Sequence, residues 1–213
     1  MVPHIPILKP LILLSGPDGS GKTTLATALK KELEKKGYKV KIVRIRGTHT
    51  LAYLLLLVFK KVLKLHGKQL HYYQVYIPSK ITKLWLMIEF ISIVPPIIIY
   101  YYFYRIRNVV ISERSLLDFV IWVLKGLINE RDIIRTYTFR VMLVFTTKYK
   151  PIYITASIDE LIRRKPLEKS LILKFLPYYT VLSRYLQLKV VDTSRCTVVE
   201  CVNHLKKIIN VNL

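Results

Sequence analysis

The apolar positions of this chain come in short blocks, and the spacing within each block identifies an element. Leu11-Ile12-Leu13-Leu14 is a run short enough for a buried strand. Leu25, Ala28, Leu29 and Leu33 then recur at helical spacing with lysines between them, and Gly37 supplies a natural helix stop. Val40, Ile42, Val43 and Ile45 make residues 39–46 a second strand, and Val109-Val110-Ile111-Ser112 a third. Residues 116–126 and 131–145 carry helical patterns. Pro151 introduces a fourth strand over 152–156, and Ser157-Ile158-Asp159-Glu160 opens a helix. Lys189-Val190-Val191, ending at Asp192, is a fifth strand. A capping box, Thr197-x-x-Glu200, starts a last helix through Val202, Leu205 and Ile208. Strands alternating with helices predict an α/β domain with a mostly parallel sheet covered on both faces. With no repeat and no low-complexity linker, residues 1–213 read as a single domain.

The middle of the chain complicates that picture. Residues 50–107 form a hydrophobic helical region, and within it residues 84–104 carry only one charge, Glu89. That length suffices for a membrane span, but Pro95-Pro96 interrupts it and Glu89 is costly in lipid. The segment therefore reads as two buried helical pieces with a proline break. Lys60, Lys61, Lys64 and Lys68 follow the apolar run 51–59, as in an amphipathic surface-seeking helix or a core helix with a solvated lysine face.

Charge adds a second constraint. There are 35 Lys and Arg against 13 Asp and Glu, a formal net charge of +22, which suits polyanionic partners without choosing among them. Nucleotides, nucleic acid and an anionic membrane all stay open, as does a solvated lysine-rich exterior with no specific partner; a homodimer stays open too. Cys196 and Cys201 fit no metal motif or disulfide framework, so they read as two thiols in a reducing cytosol, a cytoplasmic placement. The first nine residues carry Pro3 and Pro6 and lack the basic start and cleavage site of a signal peptide.

The chemistry concentrates after the first strand. Gly16-Pro17-Asp18-Gly19-Ser20-Gly21-Lys22-Thr23 fits the phosphate-binding pattern Gly-x-x-x-x-Gly-Lys-Ser/Thr with no mismatch, and Thr24 follows. Glycines let backbone N–H groups close around phosphate oxygens, and the following helix N-terminus adds partial positive charge. Lys22 would sit on the β- and γ-phosphates of ATP, and the Thr23 hydroxyl would ligate Mg²⁺. The third strand delivers Glu113 and Arg114 to the same sheet edge, a carboxylate for metal or proton beside a guanidinium for phosphate. Arg163-Arg164-Lys165 form a basic lid at about 160–170, able to neutralise a triphosphate or simply to end a helix. The histidines form no metal or triad spacing.

Together these blocks resemble the thymidylate kinase family of P-loop nucleoside monophosphate kinases, and its archaeal thymidylate kinase-like branch in the apolar middle. Residues Gly16 to Thr24 are similar to that family's Glu-Gly-x-Asp-Gly-x-Gly-Lys-Thr-Thr. Val109-Val110-Ile111-Ser112-Glu113-Arg114-Ser115 resembles its strand ending in Asp-Arg-Tyr, 152–165 its strand and basic lid, and Val191-Asp192-Thr193-Ser194-Arg195 its adenine-side loop. The resemblance implies a three-layer P-loop kinase fold with a five-stranded parallel sheet. It also implies Mg²⁺-dependent transfer of the ATP γ-phosphoryl to a nucleoside monophosphate, dTMP first. Lys22 would stabilise the migrating group, Thr23 and Glu113 the metal, Arg114 the acceptor phosphate, and Arg163 or Arg164 the lid side. Asp18 would touch the acceptor sugar, and Arg46, in Arg46-Gly47-Thr48, would help bind the acceptor. Glu113 stands where the family has Asp, Ser115 where it has Tyr, and no thymine-reading residue is matched between Leu51 and Arg107. Two other functions stay open: a P-loop kinase acting on another small-molecule or lipid-linked acceptor, and an ATP-dependent protein bound to nucleic acid or membrane.

Overall fold

The structure, a computed structural model, describes residues 8–45, 51–62, 77–126 and 130–209. Five strands, β1 (Leu11–Ser15), β2 (Val40–Val43), β3 (Val109–Ser112), β4 (Ile152–Thr155) and β5 (Val190–Asp192), form one sheet in the order β2-β3-β1-β4-β5. Every neighbouring pair is parallel. The five-stranded parallel sheet expected from the sequence is therefore present.

The period of two along β1 divides the core. Ile12 and Leu14 face one side, where α1 (Lys22–Lys35) and α9 (Val198–Ile209) pack through Leu25, Leu29, Leu33, Val202 and Leu205. Leu13 faces the other side, covered by α2 (Leu51–Val62), α3 (Thr82–Ile98), α4 (Leu116–Gly126), α5 (Glu130–Ile134) and α6 (Tyr137–Tyr149). Two more helices, α7 (Ile158–Arg164) and α8 (Lys169–Tyr185), follow β4, and α8 packs on α4.

Three expectations need correction. The pattern over 131–145 is two helices, because the Thr136 hydroxyl accepts the N–H of Phe139 and starts α6 anew. Pro95-Pro96 does not divide the apolar middle either. α3 runs through both prolines into a wide π turn, Ile99–Phe103, and a tight 3₁₀ turn, Tyr104–Ile106. The prolines cannot donate to Ile91 and Ser92, a defect that in a helix interior costs about 3 kcal/mol. Packing overrides it. Trp85, Leu86 and Ile93 before the break and Tyr101 after it are all fully buried, so both halves are held on the core. Among the described residues this helical stretch, 25 residues from Thr82 to Ile106, is long and apolar enough to cross a membrane. Its inner face is part of the core.

The third correction concerns the cysteines, which are not free thiols. Cys196 and Cys201 form a disulfide, with Cα atoms 5.6 Å apart. The capping box explains how a five-residue spacing closes. The Glu200 carboxylate accepts the Thr197 N–H at 2.8 Å and its hydroxyl at 2.9 Å, and the Cys201 N–H donates to the Thr197 carbonyl. The chain folds over at the helix start and brings the two side chains together. The cysteines thus no longer argue for a reducing compartment.

Candidate functional site

The registers place the chemistry. Leu13 of β1 pairs with Ser112 of β3, so the loop after β1 and the residues after β3 leave the same carboxyl edge side by side. The first, Gly16 to Gly21, bends back into α1, with Gly16, Gly19 and Gly21 all at positive φ. Gly16 must be glycine for a second reason: a Cβ there would overlap the carbonyl oxygen of Ile154 on β4. Pro17 and Ser20 are buried in the loop, and Thr23 and Thr24 are exposed on the first turn of α1.

Lys22 lies inside this loop rather than in solvent. Its Nζ donates to the carbonyls of Gly16 and Pro17, both at 2.7 Å, and to Ser20 Oγ at 3.2 Å. Burial, partly offset by Asp118, lowers its pKa to about 8. Bound phosphate favours the ammonium, so nucleotide binding should take up a proton once the free amine begins to lose its own. Affinity is therefore expected to fall as pH rises through about 8. Calorimetry above that pH in buffers of different ionisation enthalpy should register the uptake, and a Lys22→Met variant should not show it.

Glu113 and Arg114 stand opposite. Thr23 Oγ1 donates to Glu113 Oε2 at 3.1 Å, so a hydroxyl and a carboxylate converge where the resemblance puts the metal. Hard oxygen donors of this kind fit Mg²⁺, which takes one or two protein ligands and draws the rest from phosphate and water. Arg44, at the end of β2, approaches the same carboxylate at 3.9 Å. Arg114 bonds Asp18 of the loop at 2.6 Å. Burial opposes its charge, but Asp118 and Asp18 hold its pKa above the ordinary arginine value. Arg46 lies outside the described residues.

The segment expected to be a basic lid contains two differently placed arginines. Arg163 is largely exposed and, among the described residues, bonds Glu160. Arg164 turns inward, donating to the carbonyl of Gly19 at 3.1 Å and to Thr193 Oγ1 at 2.8 Å, while its Nε holds Glu160. Thr193 in turn reaches the carbonyls of Ser20 and Thr155, so the turn after β5 is tied to the loop. Arg164→Ala is expected to weaken nucleotide binding about 10-fold or more, the worth of a charged hydrogen bond. Arg163→Ala should stay within about 3-fold, as for exposed ion pairs. Fluorescent-nucleotide titration of the two variants checks this.

Sequence reasoning missed the residue beneath the site. Asp118, on α4, is buried, and its carboxylate accepts three hydrogen bonds: from the Gly16 N–H at 3.1 Å, the Ser115 N–H at 2.8 Å and the Tyr179 hydroxyl at 2.8 Å. It ties the glycine loop, the residues after β3, and α8 together. The signal was present: Asp118 is the one charge in the apolar run 116–124. Tyr179 stacks on Tyr153 with ring centroids 6.0 Å apart, and burial, then Asp118, pushes its pKa well up, keeping it a donor.

Comparisons bear on the fold more than on the substrate. The family profile of the chromatin associated protein KTI12 matches residues 9–51, from β1 through the glycine loop and α1 to the start of α2. No curated protein matches the chain in sequence. The structure of a deoxyadenosine kinase from M. mycoides with bound dCTP superposes with a TM-score of 0.52 at 16% identity, covering 94% of this chain and 98% of that one. The crystal structure of APE1195 matches at 20% identity over 95% of this chain and 96% of its own, with a TM-score of 0.45. In all, 177 chains of solved structures match, so the fold is widely shared and selects no substrate by itself. A glycine loop entering a helix at the carboxyl edge of a five-stranded parallel sheet, in an architecture shared with a deoxyadenosine kinase, gives this chain a P-loop kinase fold.

Proposed function

We propose that this chain transfers the γ-phosphoryl group of ATP to a nucleoside monophosphate, with dTMP the first candidate. The observation that carries the reading is the convergence, at one sheet edge, of Lys22 within the loop, Thr23 against Glu113, and Arg114 against Asp18. Phosphoryl transfer asks little covalent chemistry of the protein, only in-line positioning and cations around the spreading negative charge. Lys22 would neutralise the outer phosphates, and Arg164 would fix the loop that cradles them. Thr23 and Glu113 would hold Mg²⁺, which would supply charge neutralisation to the phosphates when bound. Arg114 would hold the acceptor phosphate, whose oxygen is the nucleophile, while Asp18 orients that guanidinium.

The deoxyadenosine kinase neighbour acts on a nucleoside, so the acceptor class needs an argument of its own. Arg44, 3.9 Å from Glu113, and Arg114, paired with Asp18, follow neighbouring strands at the same sheet edge, and two guanidinium groups there suit an acceptor that is itself an anion. The experiment is ADP release from ATP and Mg²⁺ across a panel of monophosphates, nucleosides, RNA and polyprenyl alcohols. Stimulation by dTMP or another monophosphate is expected. Turnover stimulated by a nucleoside or lipid alone, and by no monophosphate, overturns the acceptor assignment and leaves the ATP site intact.

A further inference from the structure

α2 and α3 each bury one apolar stripe and present a second to solvent. The inner stripes contain Ala52 and Leu56 on α2, and Trp85, Leu86 and Ile93 on α3. The outer stripes are Leu54, Val58 and Val62 on α2, and Leu84, Met87 and Ile91 on α3, all between 44% and 68% exposed. Spacings of three and four make each stripe a continuous ridge along its helix. The two helices pack side by side, and Phe90 joins them to Phe145 of α6, which exposes Val144. An apolar surface of this extent on a folded monomer marks a contact site.

Charge decides what covers it. α2, α3 and α6 contain a single acidic residue, Glu89, and it is buried on the inner side. Their exposed charges are all positive: Lys61 at the end of α2, Lys83 at the start of α3, and Arg140 and Lys148 on α6. A twofold contact between copies would set this face against itself, the cations of α2, α3 and α6 meeting one another, in a chain that already carries +22. An anionic lipid surface answers both features: its acyl boundary takes the ridges and its headgroups take the lysines. Exposed Tyr102 and Phe103, just before Arg105, suit headgroup depth. Because Trp85, Glu89 and Ile93 are locked in the core, α3 would lie on the bilayer without crossing it.

We propose that the outer face of α2 and α3 docks this protein on the surface of an anionic phospholipid bilayer. The docking is independent of the phosphotransfer reading. The test is co-sedimentation of the full chain with vesicles of phosphatidylcholine alone and with about one third phosphatidylglycerol, at about 0.1 M salt and above. Binding is expected to the anionic vesicles, at least 10-fold weaker to the neutral ones, and weakened by salt. The double variant Val58→Glu, Met87→Glu should lose at least 10-fold in partitioning while keeping its circular dichroism and melting temperature. Lys22→Ala should bind vesicles like the parent, so failure of the nucleotide reading would leave this result standing. No binding to anionic vesicles overturns the proposal. So does undiminished binding by the double variant, or a dimer in light scattering that this variant dissociates while vesicle binding persists.

Discussion

Lys22→Met is expected to reduce phosphoryl transfer by about 10²- to 10³-fold or more, the usual effect of removing a preorganised charge from the transferring group. Among the described residues the nearby cations already have partners: Arg44, Arg114, Arg164 and Lys165 are engaged with Glu113, Asp18, Gly19 and Glu168 respectively. Stability should change by less than about 2 kcal/mol, because losing the hydrogen bonds to Gly16 and Pro17 is offset by relief of a buried charge. The pH dependence distinguishes this account from simple misfolding. In the unfolded chain the lysine titrates near 10.5, and in the folded protein near 8, so between these values the unfolded chain binds more protons. Stability contributed by this group therefore rises with pH across that window and is lost as pH falls through about 8. Urea unfolding of the parent should show the rise, and that of Lys22→Met should lack it.

The second large effect is expected at Asp118. Asp118→Ala strands three buried donors, two backbone N–H groups and the Tyr179 hydroxyl, and removes one of the two carboxylates that face the Arg114 guanidinium. Losing one side of such a buried charged network typically costs about 3–5 kcal/mol. Asp118→Asn should recover only part, since an amide oxygen in the Oδ1 position keeps the Gly16 N–H and the Tyr179 hydroxyl while its NH₂ then points at the Ser115 N–H, another donor. Equilibrium denaturation orders the three proteins. Nucleotide affinity should follow the same order, because Gly16 sets the entry of the loop.

What was legible in the sequence was local. The glycine loop announces itself because its chemistry is confined to eight consecutive residues with a strand before and a helix after. The strands were legible because β-branched runs buried on both faces leave few alternatives. What was not legible depends on partners distant in sequence. Asp118 meets Gly16 across 102 positions and Tyr179 across 61, and no spacing rule reaches that far. No element was read over α8, which carries Pro177 within it, and α3 was divided at Pro95-Pro96. In both, tertiary packing outweighs a local penalty that sequence reasoning counts in full. Arg163 and Arg164 were equivalent on paper, and only the direction of α7 separates them.

The bond between Cys196 and Cys201 closes a small ring immediately after the Thr193 turn, and that turn holds both Arg164 and the backbone of the glycine loop. Reducing that bond is therefore expected to loosen the turn and lower nucleotide affinity, which titrations with and without dithiothreitol would compare.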